Sequence, residues 1–317
     1  MMKNRIYYLD ALKGILIILV VLGHVIQFTN PNYQHDFLFR FIYSFHMPLF
    51  FAISGYLMYK GKFEIQLFRK SIFQLLLPFI TWAFLLPIAY DGNIDWKYTF
   101  RILLYPDNGL WFLYNLFIYR MLFAFSEKWR IHLYRQEIFI LLIFFVLSAL
   151  MLLLHTLLNM TQLCWFFPFF AIGFYVHKYE AYLGQYMKRL MWCFGIVYAV
   201  TVPFWMMREP PLFYKWLDLG ILFSYLYRYG VEIAGTCFFL LLGKRILNQP
   251  INWLNELGRR TLGIYAFQFI VIHYMIMLDN VFRNVFLLTI MTVFLSFCCT
   301  EIIRRIRYVR LFMIGEK

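Results

Sequence analysis

Long apolar runs separated by short polar stretches succeed one another along the whole chain. A run of about 18 or more apolar residues is what a helix needs to cross the hydrocarbon core of a bilayer. Ten such spans are predicted, near residues 11–29, 38–59, 71–89, 109–126, 137–157, 160–178, 190–207, 220–243, 260–279 and 281–303. The predicted fold class is therefore all-α, a polytopic integral membrane protein of about ten transmembrane helices. The connections are too short to hold a folded soluble domain, and no internal repeat, low-complexity tract or linker interrupts the pattern. Residues 1–317 read as a single membrane-embedded domain without a fused soluble one. The first ten residues are too polar for a signal h-region and no small-residue cleavage site follows the first span, so that helix is expected to be retained.

Composition supports a lipid solvent: 63% of residues are hydrophobic, a surface on which a soluble domain would aggregate. Charge supplies orientation. The N-terminus and every second loop carry Lys3 and Arg5; Lys60, Lys62, Arg69 and Lys70; Lys128, Arg130 and Arg135; Lys178, Lys188 and Arg189; Lys244, Arg245, Arg259 and Arg260; and Arg304, Arg305, Arg307, Arg310 and Lys317. The alternate loops hold only Lys97, Arg101, Arg208, Lys215 and Arg283. That alternation is the positive-inside pattern with both termini cytoplasmic. It accounts for the net charge of +14 through anionic headgroups, without nucleic acid. Cys164, Cys193, Cys237, Cys298 and Cys299 lie in apolar segments without CxxC spacing and read as packing residues, so no metal site is expected.

Ionisable groups inside such spans are costly unless they face a partner or a wet cavity, which makes them functional candidates. The first span, "LKGILIILVVLGHVIQF" (Leu12 to Phe28), carries Lys13 and His24. Their helical positions differ by only ~20° in direction and ~16 Å along the axis. Lys13 sits near the cytoplasmic mouth, with His24 deeper on the same face. The second span supplies His46 at an estimated depth within ~4 Å of His24, so the two rings are expected to line one cavity. Neutral imidazole accepts protons near neutral pH and suits a general base acting on a hydroxyl. Pro48 should kink that second helix and free a carbonyl. In "SGY", Gly55 should let the backbone approach a neighbour or ligand.

In "RIYYLDALKGILIILVVLGHV" and "FHMPLFFAISGYL" the chain resembles the membrane-bound acyltransferase 3 family, whose members include bacterial enzymes that O-acetylate sugars and surface polysaccharides. "LWFLYNLF", "FFPFFAIGFYVHKY" and "LGRRTLGIYAFQ" are similar to it as well. The resemblance implies that His24 is catalytic, with Lys13 tied to the donor or to site geometry. It also implies acetyl-CoA as donor substrate, with no permanently bound cofactor. Two positions depart from the family pattern. "FRKSIFQLLLPF" keeps Arg69 and Lys70 but has Gln74 where a second basic residue is frequent, and Gln268 replaces a frequent histidine.

The site expected from these readings has His24 and His46 as catalytic residues and Lys13, Arg69 and Lys70 on the donor phosphates. Arg120 needs a carboxylate, carbonyls or a ligand phosphate as partner, and Trp111 and Asn115 read either as the lining of an acceptor pocket or as an aromatic-belt residue and a helix-packing amide. Arg228 and Glu232, four apart on one helix, are read as an ion pair. Arg40 reads as a structural residue snorkelling to the outer surface. The expected activity is transfer of an acetyl group from cytosolic acetyl-CoA to a sugar hydroxyl in a surface glycan or a lipid-linked precursor, in the bacterial inner membrane. His24 would either deprotonate the hydroxyl or first carry the acyl group itself. Partners would be the bilayer and glycan-assembly proteins. The alternative is a transporter or flippase that uses Arg120, Arg228, Glu232 and the histidines as a substrate or proton path. Inverted repeats and paired broken helices, which that reading favours, are not evident in the sequence.

Overall fold

The computed structural model describes residues 6–59, 65–93, 95–106, 110–127, 135–154, 157–211, 220–278 and 284–316. Among the expected topology-setting cations, Lys3, Arg5, Lys60, Lys62, Lys128, Arg130, Lys215, Arg283 and Lys317 lie outside the described residues. In chain order the helices are α1 (Tyr7–Thr29), α2 (Phe37–Tyr43), α3 (His46–Met58), α4 (Ile65–Ser71), α5 (Leu77–Asp91), α6 (Trp96–Leu104), α7 (Trp111–Ser126) and α8 (Arg135–Leu154). They continue as α9 (Met160–Lys178), α10 (Glu180–Leu183), α11 (Met187–Thr201), α12 (Gly220–Ile246), α13 (Asn252–Arg259), α14 (Thr261–Leu278), α15 (Val285–Arg304) and α16 (Arg307–Ile314). A π-helical turn, Ile72–Leu76, joins α4 to α5. No strand occurs among the described residues.

Among the described residues, seven stretches are long and apolar enough to cross a membrane: Tyr7–Thr29, Phe37–Met58, Ile65–Tyr90, Arg135–Leu154, Leu157–Lys178, Thr261–Leu278 and Val285–Arg304. The chain is thus a multi-pass membrane protein. The three other predicted spans fall on α7, α11 and α12, all of them helical. At 16 and 15 residues, α7 and α11 are short for a full crossing, whereas α12 has 27 residues but carries Arg228, Glu232, Lys244 and Arg245.

The helices form two compact units, Met1–Ile53 with Tyr179–Phe297, and Ser54–Lys178 with Cys298–Lys317. In the first unit α1 packs against α2, α12, α13 and α14. Two glycines permit its closest crossing. A Cβ on Gly14 would lie 2.2 Å from the Leu254 carbonyl oxygen, and one on Gly258 would lie 1.8 Å from that of Asp10. Any side chain at either position would push α1 and α13 apart, so small residues set this interface by steric necessity. Asn255 adds a polar tie, donating from Nδ2 to the Tyr7 carbonyl at 2.7 Å while its Oδ1 accepts from the Ile251 N–H.

In the second unit α8 pairs with α9, while α5 packs against α16 and the π turn. Trp82, almost wholly buried, donates from Nε1 to the Met313 carbonyl at 2.8 Å and so anchors the C-terminal helix. Gly55 behaves as its sequence context predicts, since a Cβ there would sit 2.0 Å from the Phe170 carbonyl oxygen. At the ends of α7, α8 and α9, Lys178 reaches Gln136 at 2.9 Å and pairs with Glu137, and Gln136 in turn donates to Ser126 and Glu127.

Candidate active site

The second span is disturbed one turn before Pro48, as that proline predicts, by a two-residue turn at Ser44 and Phe45. Proline lacks an N–H for the Ser44 carbonyl, and α2 ends at Tyr43 before α3 restarts at His46. His46 closes the gap: its Nδ1 is 2.8 Å from the Ile42 carbonyl oxygen. A carbonyl only accepts, so Nδ1 carries the hydrogen and the neutral ring keeps its lone pair on Nε2. Across the break, the Ser44 and Tyr198 hydroxyls meet at 2.8 Å and Phe45 stacks on Phe239.

Tyr43, the last residue of α2, faces α1. Gly23 makes room for it, because a Cβ there would lie 2.7 Å from the Tyr43 ring. The next residue is His24. The Tyr43 hydroxyl lies 3.4 Å from His24 Nδ1 and donates to Gln27 Oε1 at 3.3 Å. Phe39 stacks on Tyr43 at 3.9 Å, and Phe269 of α14 packs on His24 at 4.7 Å between ring centroids. Tyr43 also meets His46 edge-on at 4.6 Å. The two histidines that the sequence places at similar depth therefore converge on one tyrosine, His24 half-buried and His46 buried.

This order of hydrogen bonds has a chemical consequence. Tyr43 has one hydroxyl hydrogen, and Gln27 Oε1 takes it. The remaining lone pairs of the tyrosine oxygen can accept a hydrogen from His24 Nδ1, and in the tautomer that places it there Nε2 of His24 is the proton acceptor. Sequence reasoning missed Tyr43 and Gln27. The signals were local: Tyr43 precedes His46 by three residues and Gln27 follows His24 by three, each one helical turn away.

The other expected residues are placed as follows. Lys13 pairs with Asp10 at 2.7 Å, a neighbour that sequence reasoning did not assign to it. Arg69 and Lys70 occupy the exposed last turn of α4, directly before the π turn that contains Gln74. Arg228 and Glu232 are one turn apart on α12, and Glu232 acts electrostatically on Arg228. Gln268 is fully buried, donating to the Tyr265 carbonyl. Arg40 does not snorkel. It is buried, and its Nη1 donates to the Pro203 carbonyl at 2.8 Å, a partner that satisfies the guanidinium without reaching water.

In the second unit Trp111 opens α7 and stacks on Phe166 at 5.2 Å. Asn115 is fully buried one turn later and accepts from Asn159. Arg120 is half-buried on the same helix. Among the described residues no cluster of histidine, cysteine and carboxylates is arranged to hold a metal.

A family model described as an acyltransferase domain, that of acyltransferase 3, matches residues 6–303. The nodulation protein NolL of Sinorhizobium fredii is 35% identical over 194 residues, which cover 54% of this chain and 49% of that relative. NolL of Mesorhizobium japonicum is 41% identical over 93 residues, covering 26% of this chain and 24% of the relative. The aligned part thus spans about half or less of each relative's length. No solved structure matches.

Proposed function

Because the chain belongs to the acyltransferase 3 family, we propose that it is a membrane O-acyltransferase moving an acetyl group from cytosolic acetyl-CoA to a sugar hydroxyl in a surface glycan or its precursor. One observation supports the reading: His24, on a membrane-spanning helix, has its Nδ1 3.4 Å from the Tyr43 hydroxyl, and in this proposal Nδ1 carries the ring hydrogen and Nε2 is the proton acceptor. In this proposal the sugar oxygen attacks the thioester carbonyl, the C–O bond forms, and Nε2 takes the hydroxyl proton. As the C–S bond breaks, that proton passes to the departing thiolate, giving free CoA thiol and neutral imidazole. If Nε2 instead takes the acetyl group first, the bond to sulfur breaks before the acceptor enters. Isotope exchange between labelled CoA and acetyl-CoA without any acceptor reads out that order.

Lys13, Arg69 and Lys70 are assigned to the CoA phosphates, and Tyr43 and Gln27 to holding the His24 ring. Lys13 keeps ammonium hydrogens beyond the one directed at Asp10, so its ion pair is compatible with a phosphate contact. The localisation that goes with this reading is a bacterial cytoplasmic membrane, with glycan-assembly proteins as neighbours.

The test is purified protein in lipid nanodiscs, supplied with radiolabelled acetyl-CoA and a glycolipid extract. Release of CoA thiol with matching label on sugar hydroxyls is expected. Absence of CoA release from folded protein across a panel of sugar acceptors would overturn the reading and favour the transporter.

A further inference from the structure

The second unit holds a row of carboxamides whose composition the acyl-transfer chemistry does not use. On α7, Trp111 and Asn115 are four residues apart and share one face; on α9, Gln162 and Phe166 do the same in reverse order. The two rings stack at 5.2 Å with planes 26° apart. Asn159, just before α9, links the amides by donating from Nδ2 to Asn115 Oδ1 at 3.4 Å and to Gln162 Oε1 at 3.2 Å. Both carboxamide oxygens at the ends of the row are thereby occupied.

Their nitrogens are not. Asn115 is 0% exposed, and its Nδ2 has no hydrogen-bond partner. A buried N–H₂ left so is destabilising, a penalty that an oxygen-bearing ligand removes. Among the described residues, Gln162 Nε2, on a half-buried side chain, also has no protein acceptor. Below the row, Tyr119 is fully buried and its hydroxyl donates to the Leu163 carbonyl at 2.5 Å, closing that end. The backbone is held in an unusual shape where the row begins, with Leu158 at φ +53° and Asn159 at φ +57°.

The donors are neutral, and Arg120 points ~140° away from Asn115 around α7. Unused N–H groups beside a half-exposed indole match a neutral, hydroxyl-rich ring: oxygens meet the amides and the C–H face meets the aromatic ring. An anion would find no cation in the row, and an acyl chain would leave the amide hydrogens bare. The loop before α7 belongs to the set poor in lysine and arginine, which faces away from the cytosol.

We propose that Asn115, Asn159 and Gln162, with the Trp111–Phe166 pair, form an extracytoplasmic subsite for a neutral sugar ring. Its role as the acceptor subsite rests on the acyltransferase reading above; the binding itself does not.

The experiment measures thermal stabilisation of purified protein by a panel of methyl and p-nitrophenyl hexosides, without donor. Wild type is stabilised, and Gln162→Met and Trp111→Leu each weaken the apparent affinity about tenfold or more. Trp111→Phe, which keeps a ring, restores most of it. Stabilisation by CoA serves as the folding control for every variant. In transfer assays the same variants raise KM for the acceptor far more than they lower kcat.

No stabilisation of wild type by any hexoside, the amides being served by water alone, would overturn the proposal. Equal stabilisation of wild type and both variants would overturn it too. Hexoside binding without CoA release would keep the subsite and remove the acyltransferase reading; CoA release with unaltered hexoside affinity in the variants would do the reverse.

Discussion

The first unit gathers imidazoles around a tyrosine, and the second gathers carboxamides beside stacked rings. Both bury polar groups in helices apolar enough for lipid, but they leave different atoms unused. Around Tyr43 each histidine sets Nδ1 against an oxygen, and Nε2 is the ring nitrogen that remains. Around Asn159 they commit the carboxamide oxygens, and what remains is N–H. A group that can gain and lose a proton suits chemistry; a group fixed as donor suits recognition. The partner each side chain already holds, more than its residue type, decides which of its atoms a ligand can meet.

The largest expected effect tests the first half of that contrast. His24→Ala should lower turnover by roughly 10²–10⁴, the range for losing a general base, while hexoside stabilisation persists. Activity within about tenfold of wild type at equal membrane abundance, a barrier change of only ~1.4 kcal/mol, would remove His24 as catalyst.

Tyr43→Phe keeps the ring packing of Phe39 and His46 but deletes the hydroxyl that orders His24. A fall in kcat of about tenfold is expected, the equivalent of one hydrogen bond near 1.4 kcal/mol, with KM for acetyl-CoA little moved. A variant with wild-type kcat and altered melting temperature would assign Tyr43 to folding alone.

The donor cations come next. Lys13→Ala, Arg69→Ala and Lys70→Ala should each raise KM for acetyl-CoA about tenfold, as charge-assisted contacts to phosphate are worth about 1.5–3 kcal/mol. Turnover at saturating donor should change less. If none of the three shifts KM, these cations only set topology, and lower membrane abundance with normal kinetics per molecule is the signature.

The smallest effect checks a residue outside both clusters. Trp82→Phe removes the bond to the Met313 carbonyl and should cost about 1 kcal/mol of stability, seen as a melting shift of a few degrees. Hexoside affinity and CoA release per folded molecule should hold. A loss of either would mean that the C-terminal helix shapes one of the two clusters.

Much of this was legible in one dimension. Spans follow from apolar run length, and the shared face of Lys13 and His24 follows from helical periodicity. "LGHV" and "FHMPLFF" carry both histidines and the family resemblance. Pro48 announces a disturbance in the second span, but that the His46 ring donates to the Ile42 carbonyl there is visible only in the structure. Depth along a helix makes Arg40 a snorkelling residue, but its actual partner, the Pro203 carbonyl 163 residues away in sequence, is set by tertiary packing.

By itself, then, the sequence determined what each helix must bury and on which side, because 1.5 Å and 100° per residue are local constants of the backbone. Only the tertiary structure decided which buried groups meet. The pairing of Tyr43 with His24 and Gln27 needs a glycine gap on one helix and a break in another. That of Asn115 with Asn159 and Gln162 needs two helices side by side. Such contacts are selected by packing, where one Cβ more or less moves a helix by ångströms, and no single helix encodes them.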